Sequence, residues 1–386
     1  MINDILRWIF VTRHYPDDVH AWSGTVFKMR QSLGFSSNEC ISLHDYEANW
    51  VTAKWMGIKA RGWGKLLHKK YLRQRDPILL RGYAERVFRE TREKGFDALF
   101  SPSSLPISYL EASMPMCFWT DATFAGMLGF NPHFSGLCRE SVRHGHDAEQ
   151  RALKNCTLAL YASDWAAKTA LANYDVDPQK IHVVPFGANI DCSRDEFSIQ
   201  QISEAKSQKV CKLLFAGVDW EWKGGDKAIE ILRLLLKRGV NTELHIVGCT
   251  PNRDLGPNVF VHGFVSKASV EGRAKLDKLF SEAHFLVLPT RTEAYGLVFA
   301  EASSFGLPSL GTSIGGVPTV VREGRNGFLF DVEASASSYC DRIEALMGDA
   351  DSYRALALSS FLEYKRDLNW DVAGARVREL INAHCG

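Results

Sequence analysis

Two glutamates, Glu293 and Glu301, bracket an otherwise apolar or small run in the stretch RTEAYGLVFAEASSFGLP, residues 291–308. The preceding HFLVLPT predicts a strand, RTEAY a loop, and GLVFAEASSF a helix that begins near Gly296. A helix N-terminus attracts phosphate through its free N–H groups, and a glycine there lets the ligand approach the backbone closely. Glu301 lies four residues beyond Leu297, ~6 Å along the axis. The order carboxylate, phosphate cradle, carboxylate matches the sugar hydroxyls, diphosphate and ribose diol of a nucleotide sugar.

A second group with suitable chemistry is Lys223 in FAGVDWEWKGGDKAIE. Lys223-Gly224-Gly225 follows a predicted strand and opens a predicted helix. A lysine point charge can stabilise a departing diphosphate. The sequence therefore predicts a lysine and two carboxylates at the ends of parallel strands, where open α/β sheets bind their ligands.

Taken alone, two glutamates beside a helix are usually solvated, but these two belong to a longer pattern. It comprises Pro289, Glu293, Gly296, Glu301, Ala302, Gly306, Pro308, Gly315, Gly316, Asn326 and Gly327. The pattern closely resembles the E-x7-E donor-binding segment of family 4 glycosyltransferases, the glycosyl transferases group 1. These are retaining enzymes with the GT-B fold, two Rossmann-like domains that face a central cleft. The resemblance is specific over residues 211–335.

The resemblance implies roles for individual residues. Glu293 would contact the transferred sugar, Glu301 would hold the ribose, and the backbone at Tyr295, Gly296 and Leu297 would hold the diphosphate. Lys223 would stabilise the leaving group in an oxocarbenium-like transition state. The leaving diphosphate would help to deprotonate the acceptor on the same face, so that no protein nucleophile is required. Domain closure would exclude water.

The sequence departs from the family after the strand in FAGVDW. The family usually has an arginine after the glycine of this strand, and this chain has Val218. Arg291 is a candidate substitute, although it could equally be a solvated surface residue. The turn in VHGFVSK resembles the segment that packs the base, which would place Gly263, Phe264 and Val265 in that role. A plain strand end is the alternative. Backbone contacts of this kind leave a UDP-sugar and a GDP-sugar both open as donor.

The N-terminal half resembles the family more loosely. Gly24 in WSGT follows the first predicted strand and resembles the family's glycine loop between donor phosphates and acceptor; an ordinary turn is the alternative. Asp121 in FWTDATF ends a predicted strand where many relatives carry a histidine that contacts the sugar, so we interpret it as catalytic with an altered role. His144, His146 and Glu149 follow in RHGHDAEQRA. Each is a candidate functional residue, and a histidine on a helix surface is the commoner alternative.

Strand-like and helix-like segments alternate along the whole chain, which predicts parallel βαβ units. Its 386 residues suit two or three domains. The polar stretch near residues 190–208 suggests the boundary. We predict an α/β protein with two doubly wound parallel-sheet domains: an acceptor-binding domain at 1–195, a donor-binding domain at 205–364, and a C-terminal helix at about 365–386 that crosses back.

Composition excludes several classes of protein. A net charge of +1 argues against a nucleic-acid binder. Nine cysteines without a CxxC pair argue for a reducing, cytoplasmic setting and against a zinc site. No apolar run approaches the ~18–20 residues of a membrane span. The D-x-D strings at 175–177 and 349–351 do not follow suitable strands, so no cofactor and no metal ion are predicted.

Residues 54–75 form a basic and aromatic segment, with eight Lys or Arg, no Asp or Glu, and Trp55 and Trp63 among them. This composition suits an anionic membrane surface or a phosphorylated glycolipid acceptor. The alternative is a solvated surface, and three glycines weaken a continuous amphipathic helix there.

The sequence thus favours a metal-independent retaining glycosyltransferase that moves a sugar from a UDP-sugar or GDP-sugar to a glycan or glycolipid acceptor. The family's habits and the basic segment suggest cell-envelope polysaccharide or lipopolysaccharide synthesis, at the inner membrane face. A GT-B sugar-nucleotide epimerase and a non-catalytic nucleotide-sugar binding protein are the alternatives. A dinucleotide oxidoreductase is disfavoured because no GxGxxG opens either domain.

Overall fold

The computed structural model describes residues 6–46, 50–207 and 209–385. The chain divides into two compact units, Met1–Val184 with Ala373–Gly386, and Pro185–Val372. Within the described ranges, each unit contains one parallel sheet of six strands with helices between them. The predicted α/β class with two Rossmann-like, doubly wound parallel sheets is confirmed.

The first unit contains a sheet whose chain order reverses once. Its strands are β1 (Trp8–Thr12), β2 (Cys40–Ser42), β3 (Ala98–Ser101), β4 (Met116–Thr120), β5 (Leu158–Tyr161) and β6 (Ile181–Val183). Its helices are α1 (Thr25–Leu33), α2 (Trp50–Leu67), α3 (Pro77–Lys94), α4 (Phe124–Met127), α5 (Arg139–Asn155) and α6 (Asp164–Asn173). The spatial order is β2-β1-β3-β4-β5-β6. The order reverses between β1 and β3, and ligands of such sheets bind beside the strand ends at this switch point.

The second unit has the strand order of a Rossmann domain. Its strands are β7 (Cys211–Ala216), β8 (Thr242–Val247), β9 (Val259–Val261), β10 (Phe285–Leu288), β11 (Ser309–Thr312) and β12 (Gly327–Phe330). Its helices are α7 (Glu196–Ala205), α8 (Gly225–Lys237), α9 (Val270–Glu282), α10 (Leu297–Ser303), α11 (Val317–Val320), α12 (Ala336–Met347) and α13 (Ala350–Asp367). The order β9-β8-β7-β10-β11-β12 is 3-2-1-4-5-6 in chain terms, so the switch point lies between β7 and β10.

Hydrophobic runs without alternation form the central strands, because both faces of a parallel sheet are covered. All four residues of β10 and all five of β4 are buried. Helix α8 instead buries one stripe, which includes Ile231 and Leu235, and exposes its charged face. These elements fix where the loops after β7 and β10 begin.

The first unit ends at Val184, earlier than the predicted end at residue 195. The next residues pack into the second unit: the ring of Phe186 stacks on Trp370 at 5.7 Å, and Trp370 Nε1 donates to Asn189 Oδ1 at 2.9 Å. The polar stretch near 190–208 is therefore part of the second unit, where Asp195 caps α7. The last helix, α14 (Trp370–Cys385), begins in the second unit and belongs to the first from Ala373 onward.

Helix α2 is unusual because most of its surface is exposed. The helix runs without interruption through Gly57, Gly62 and Gly64, although the sequence suggested that these glycines would weaken it. Met56 is its buried residue, and Glu140 of α5 accepts hydrogen bonds from Lys59 Nζ at 2.6 Å and Trp63 Nε1 at 3.3 Å. In the part of the chain that the structure describes, no helix is long and apolar enough to cross a membrane.

Candidate functional site

Two loops meet at the switch point of the second sheet, one after β7 and one after β10. The carbonyl of Trp222 accepts hydrogen bonds from Arg291 N at 2.8 Å and from Thr290 Oγ1 at 3.0 Å. Gly224, with φ of 77°, lies so close to the second loop that a Cβ there would be 1.9 Å from the carbonyl oxygen of Pro289. Only a glycine permits this approach, which brings the residues beside Gly224 against the β10 loop.

The contact between the two loops places Lys223 beside Glu293. Lys223 Nζ donates to Glu293 Oε2, and the two side chains are only 21% and 13% exposed. Oε1 of Glu293 has no hydrogen-bond partner among the described residues. The structure thus brings together two of the residues predicted to be catalytic, and it leaves one carboxylate oxygen able to accept a hydroxyl.

Helix α10 begins as predicted, with Gly296 as its N-cap at a φ of 95°. In the described part of the chain, the backbone N–H groups of Tyr295, Gly296 and Leu297 have no hydrogen-bond acceptor. The helix has only seven residues, so the free N–H groups matter more than its dipole. The phenol of Tyr295 is buried and donates to the carbonyl of Phe186 at 2.6 Å. The phenol is thus occupied, whereas the backbone N–H of Tyr295 is not, and its role in holding a diphosphate stays a prediction.

Glu301, a buried residue of α10, also forms an ion pair with a lysine. Lys267 Nζ donates to Glu301 Oε1, and the two side chains are 33% and 6% exposed. The sequence did not single out Lys267, although it ends the VHGFVSK turn. A lysine in a short polar turn has no pattern that distinguishes it from a solvated one, so its pairing with Glu301 emerges only from the fold.

The turn predicted to hold the base follows β9. Gly263 has a φ of 67° and its carbonyl accepts from Gly248 N at 2.9 Å, which ties the ends of β8 and β9 together. The ring of Phe264 is 70% exposed, and Val265 is half-buried. An exposed aromatic ring here is available to a flat ligand.

Val218, at the position of the family's arginine, and Arg291, its candidate substitute, both lie at the surface. Val218 is 73% exposed. Arg291 is exposed, and within the described residues its guanidinium has no hydrogen-bond or ion-pair partner. The assignment of Arg291 as a second cation for the diphosphate stays a prediction.

The predicted residues of the first unit lie at the carboxyl edge of its sheet. Asp121 follows β4 and is half-buried. Gly24 follows β1 and caps α1 with a φ of 90°, and it is preceded by Trp22 and Ser23 with φ of 48° and 58°. Left-handed backbone costs a non-glycine residue roughly 1–2 kcal/mol, and such strain clusters at functional sites. The role of Gly24 beside the donor phosphates stays a prediction.

The commoner explanation for the histidines of α5, a position on the helix surface, is wrong for His144. His144 and Glu149 are buried, and His146 is half-buried against the phenol of Tyr174 at 3.2 Å. Burial raises the pKa of Glu149, and the guanidinium of Arg75, 3.8 Å away, opposes that rise. The sequence did not indicate this buried pair, because charged residues are usually exposed and Arg75 lies outside α5.

The D-x-D strings have local structural roles. The side chain of Asp177 accepts from Gln179 N at 2.9 Å, and that of Asp349 caps α13. In the described ranges, no group of three or more His, Cys, Asp or Glu side chains is arranged to hold a metal ion.

Residues 211–349 match the model of a family described as Glycosyl transferases group 1. Among curated proteins, the chain is similar to a D-inositol 3-phosphate glycosyltransferase of Corynebacterium glutamicum (strain R), with 25% identity over 253 residues. That match covers 61% of this chain and 59% of the relative. The matched segment therefore spans less than two thirds of the relative's length.

Solved structures resemble the whole chain. HepE of Anabaena in complex with UDP has a TM-score of 0.68 at 13% identity, over 98% of this chain and 100% of that one. WaaG, a glycosyltransferase involved in lipopolysaccharide biosynthesis, has a TM-score of 0.63 at 16% identity, over 97% and 99%. At these identities the likeness shows the fold, and the predicted GT-B architecture is confirmed.

Proposed function

We propose that this chain is a retaining glycosyltransferase that moves a sugar from a nucleoside diphosphate to an acceptor. The observation that carries the proposal is the arrangement at the switch point of the second sheet. Two carboxylates, each paired with a lysine, flank three free N–H groups within one helix and its preceding loop. This arrangement suits a ligand with hydroxyls at both ends and a diphosphate between them.

The ion pair between Lys223 and Glu293 gives the site a way to respond to its ligand. A diphosphate carries more charge than one carboxylate, so it competes with Glu293 for the ammonium of Lys223. Glu293 is then free to accept hydrogen bonds from hydroxyls of the donor sugar. As the bond between the sugar and the diphosphate breaks, the acceptor hydroxyl bonds to the sugar and its proton passes to the diphosphate. Lys223 and the N–H groups of Gly296 and Leu297 stabilise the negative charge that develops on the diphosphate. No step in this sequence requires a metal ion.

The comparisons support the proposal without fixing the substrates. The Corynebacterium relative is named a glycosyltransferase, and HepE was solved with UDP, so a UDP-sugar is the first donor to try and a GDP-sugar the second. WaaG is described as acting in lipopolysaccharide biosynthesis, which agrees with a cell-envelope glycan or glycolipid acceptor.

The test is release of nucleoside diphosphate from a panel of UDP-, GDP- and ADP-sugars by purified protein. We expect slow release from one donor, and a loss of at least about 100-fold in the Glu293→Gln variant. Glu271→Gln is the matched control, because it makes the same change at an exposed position of α9. Equal rates for Glu293→Gln and wild type would remove Glu293 from the reaction.

The same experiment separates the alternatives. Conversion of the donor sugar to its epimer without nucleotide release would favour a GT-B epimerase. Nucleotide binding without turnover, in the presence of an acceptor library, would favour a binding protein.

We further propose that α2 attaches the protein to the cytoplasmic face of an anionic membrane. The outer surface of the helix carries Trp50, Trp55 and Ile58, which are 75%, 50% and 47% exposed, together with Lys54 and Arg61. Exposed indole and aliphatic groups among cations, with no acidic residue over 54–75, complement an anionic lipid surface.

Flotation with vesicles tests this attachment. We expect wild type to float with vesicles that contain phosphatidylglycerol and not with neutral phosphatidylcholine vesicles, and the double variant Trp55→Ser, Ile58→Ser to remain in solution. Phe197→Ser, which removes a 66% exposed ring from α7, is the control and should still float. Equal flotation of all three proteins, or none with either vesicle, would contradict the proposal.

A further inference from the structure

Glu301 has the most deeply buried charged side chain of the candidate site, with 6% of it exposed against 13% for Glu293. A buried carboxylate is unfavourable unless a cation or several hydrogen bonds stabilise it. Within the described residues, Lys267 supplies the hydrogen bond that Glu301 receives, at Oε1, and Oε2 has no partner. The second oxygen is therefore open to a hydroxyl while the first is held.

Lys267 is itself held by a rigid turn between β9 and α9. Arg273 Nη1 donates to the carbonyls of Lys267 and Ala268 at 3.0 and 2.8 Å. Ser269 caps α9, and a Cβ on Gly272 would be 1.9 Å from the carbonyl oxygen of Ser266. These contacts tie the backbone of Lys267 to the first turn of α9.

We propose that Lys267 is a positioning residue of the ribose subsite, which holds the carboxylate of Glu301 so that Oε2 accepts hydrogen bonds from the ribose hydroxyls. This inference rests on the proposed function, because the ribose belongs to the proposed nucleotide donor. It assigns the two lysines different tasks. Lys223 exchanges its carboxylate for the diphosphate, whereas Lys267 keeps its carboxylate throughout.

Lys267 also lies between the residues predicted to bind the base and the residue predicted to bind the ribose. It lies three residues after Phe264, in the turn predicted to hold the base, and it reaches the carboxylate predicted to hold the ribose. Base and ribose would thus be recognised through one loop, and a displacement of that loop would affect both.

The test is calorimetric binding of three ligands to wild type and to Lys267→Met. The ligands are UDP, 2′,3′-dideoxy-UDP and inorganic pyrophosphate, with GDP and its dideoxy form if wild type prefers guanine. We expect Lys267→Met to weaken UDP binding about 10-fold or more, because a charge-assisted contact to the ribose is lost. Binding of the dideoxy nucleotide and of pyrophosphate should change less than about 3-fold.

Two further variants make the result specific. Lys267→Arg should restore most of the UDP affinity, since it keeps the cation, whereas a merely structural role would not be rescued selectively for the ribose-bearing ligand. Lys278→Met, at a 73% exposed position of α9, should bind all three ligands like wild type.

Equal loss for all three ligands, or no loss for UDP, would overturn the assignment of Lys267 while leaving the proposed function in place. If wild type bound no nucleoside diphosphate at all, the proposed function would fail, and the assignment of Lys267 would fail with it.

Discussion

The packing of Gly224 against the β10 loop leads to a quantitative prediction for Gly224→Ala. Alanine at a φ of 77° costs roughly 1–2 kcal/mol in backbone strain. Its Cβ would also lie 1.9 Å from the carbonyl oxygen of Pro289, whereas ordinary contact between such atoms begins at 3.4 Å. The two loops must therefore move apart by 1.5 Å, the difference between 3.4 and 1.9 Å. Overpacking of this kind typically costs a further 1–3 kcal/mol, roughly.

Gly239→Ala is the matched control, because Gly239 follows the other end of the same helix, α8. Its φ is 86°, but a Cβ there would have no atom within 4 Å. It should lose only the strain, roughly 1–2 kcal/mol, whereas Gly224→Ala should lose about 2–5 kcal/mol. The measurement is the free energy of unfolding in urea, followed by tryptophan fluorescence.

The two variants should also differ in ligand binding. Separation of the loops moves Lys223 away from the free N–H groups at the start of α10, so that they no longer bind one diphosphate together. A misplacement of about 1 Å can cost a positioned site about 100-fold in rate. Calorimetry should therefore show a large loss of UDP affinity in Gly224→Ala and none in Gly239→Ala. If both variants lost the same stability and bound UDP like wild type, the loop contact would not position the site.

Three other changes test features away from this contact. Burial lowers the pKa of Lys206 to about 7, whereas the unfolded chain keeps it near 10.4, so the wild type loses stability as the pH falls from about 10 to 7. Lys206→Met should remove that slope and raise the free energy of unfolding at pH 7 by on the order of 4 kcal/mol, with no gain near pH 10. The sulfurs of Cys117 and Cys385 lie 3.9 Å apart, so diamide, which takes up two hydrogens, should join them as a disulfide. Peptide mass spectrometry should detect the cross-link in wild type and not in Cys385→Ser. Tyr295→Phe should lose about 1 kcal/mol, because the buried bond to Phe186 disappears, yet leave the dissociation constant for UDP unchanged.

Apolar runs in the sequence predict the central strands of both sheets, such as HFLVLPT for β10, and do not predict the edge strands β2 and β12. The edge strands β2 and β12 contain three and four residues, and no residue of β12 beyond Gly327 is fully buried. A central strand of a parallel sheet is an unbroken apolar run, because both of its faces are covered, and this pattern can be recognised in the sequence. A short, half-buried edge strand has no such pattern, and its position depends on the neighbour with which it pairs.

The candidate site shows the same division between local and tertiary information. The loops that carry Lys223, Glu293 and Glu301 were predictable because glycines and charges at strand ends have a local chemical meaning. The ion pair of Lys267 with Glu301 joins residues 34 positions apart, and that of Lys223 with Glu293 joins residues 70 apart. Such pairs depend on which strands are neighbours in the sheet, and local patterns in the sequence do not show that order.

The division of the first unit between two stretches of chain has a consequence for protein synthesis. Residues 373–386 leave the ribosome only after all of Pro185–Val372 has been made. Until then the first unit lacks Val377, which is fully buried, and Gly374, whose missing side chain lets the helix lie against the carbonyl of Ser32. The second unit has no such gap in its sequence. A released chain truncated after residue 372 should therefore contain a protease-resistant second unit and a first unit that is still cleaved, so that the unit translated first is the unit completed last.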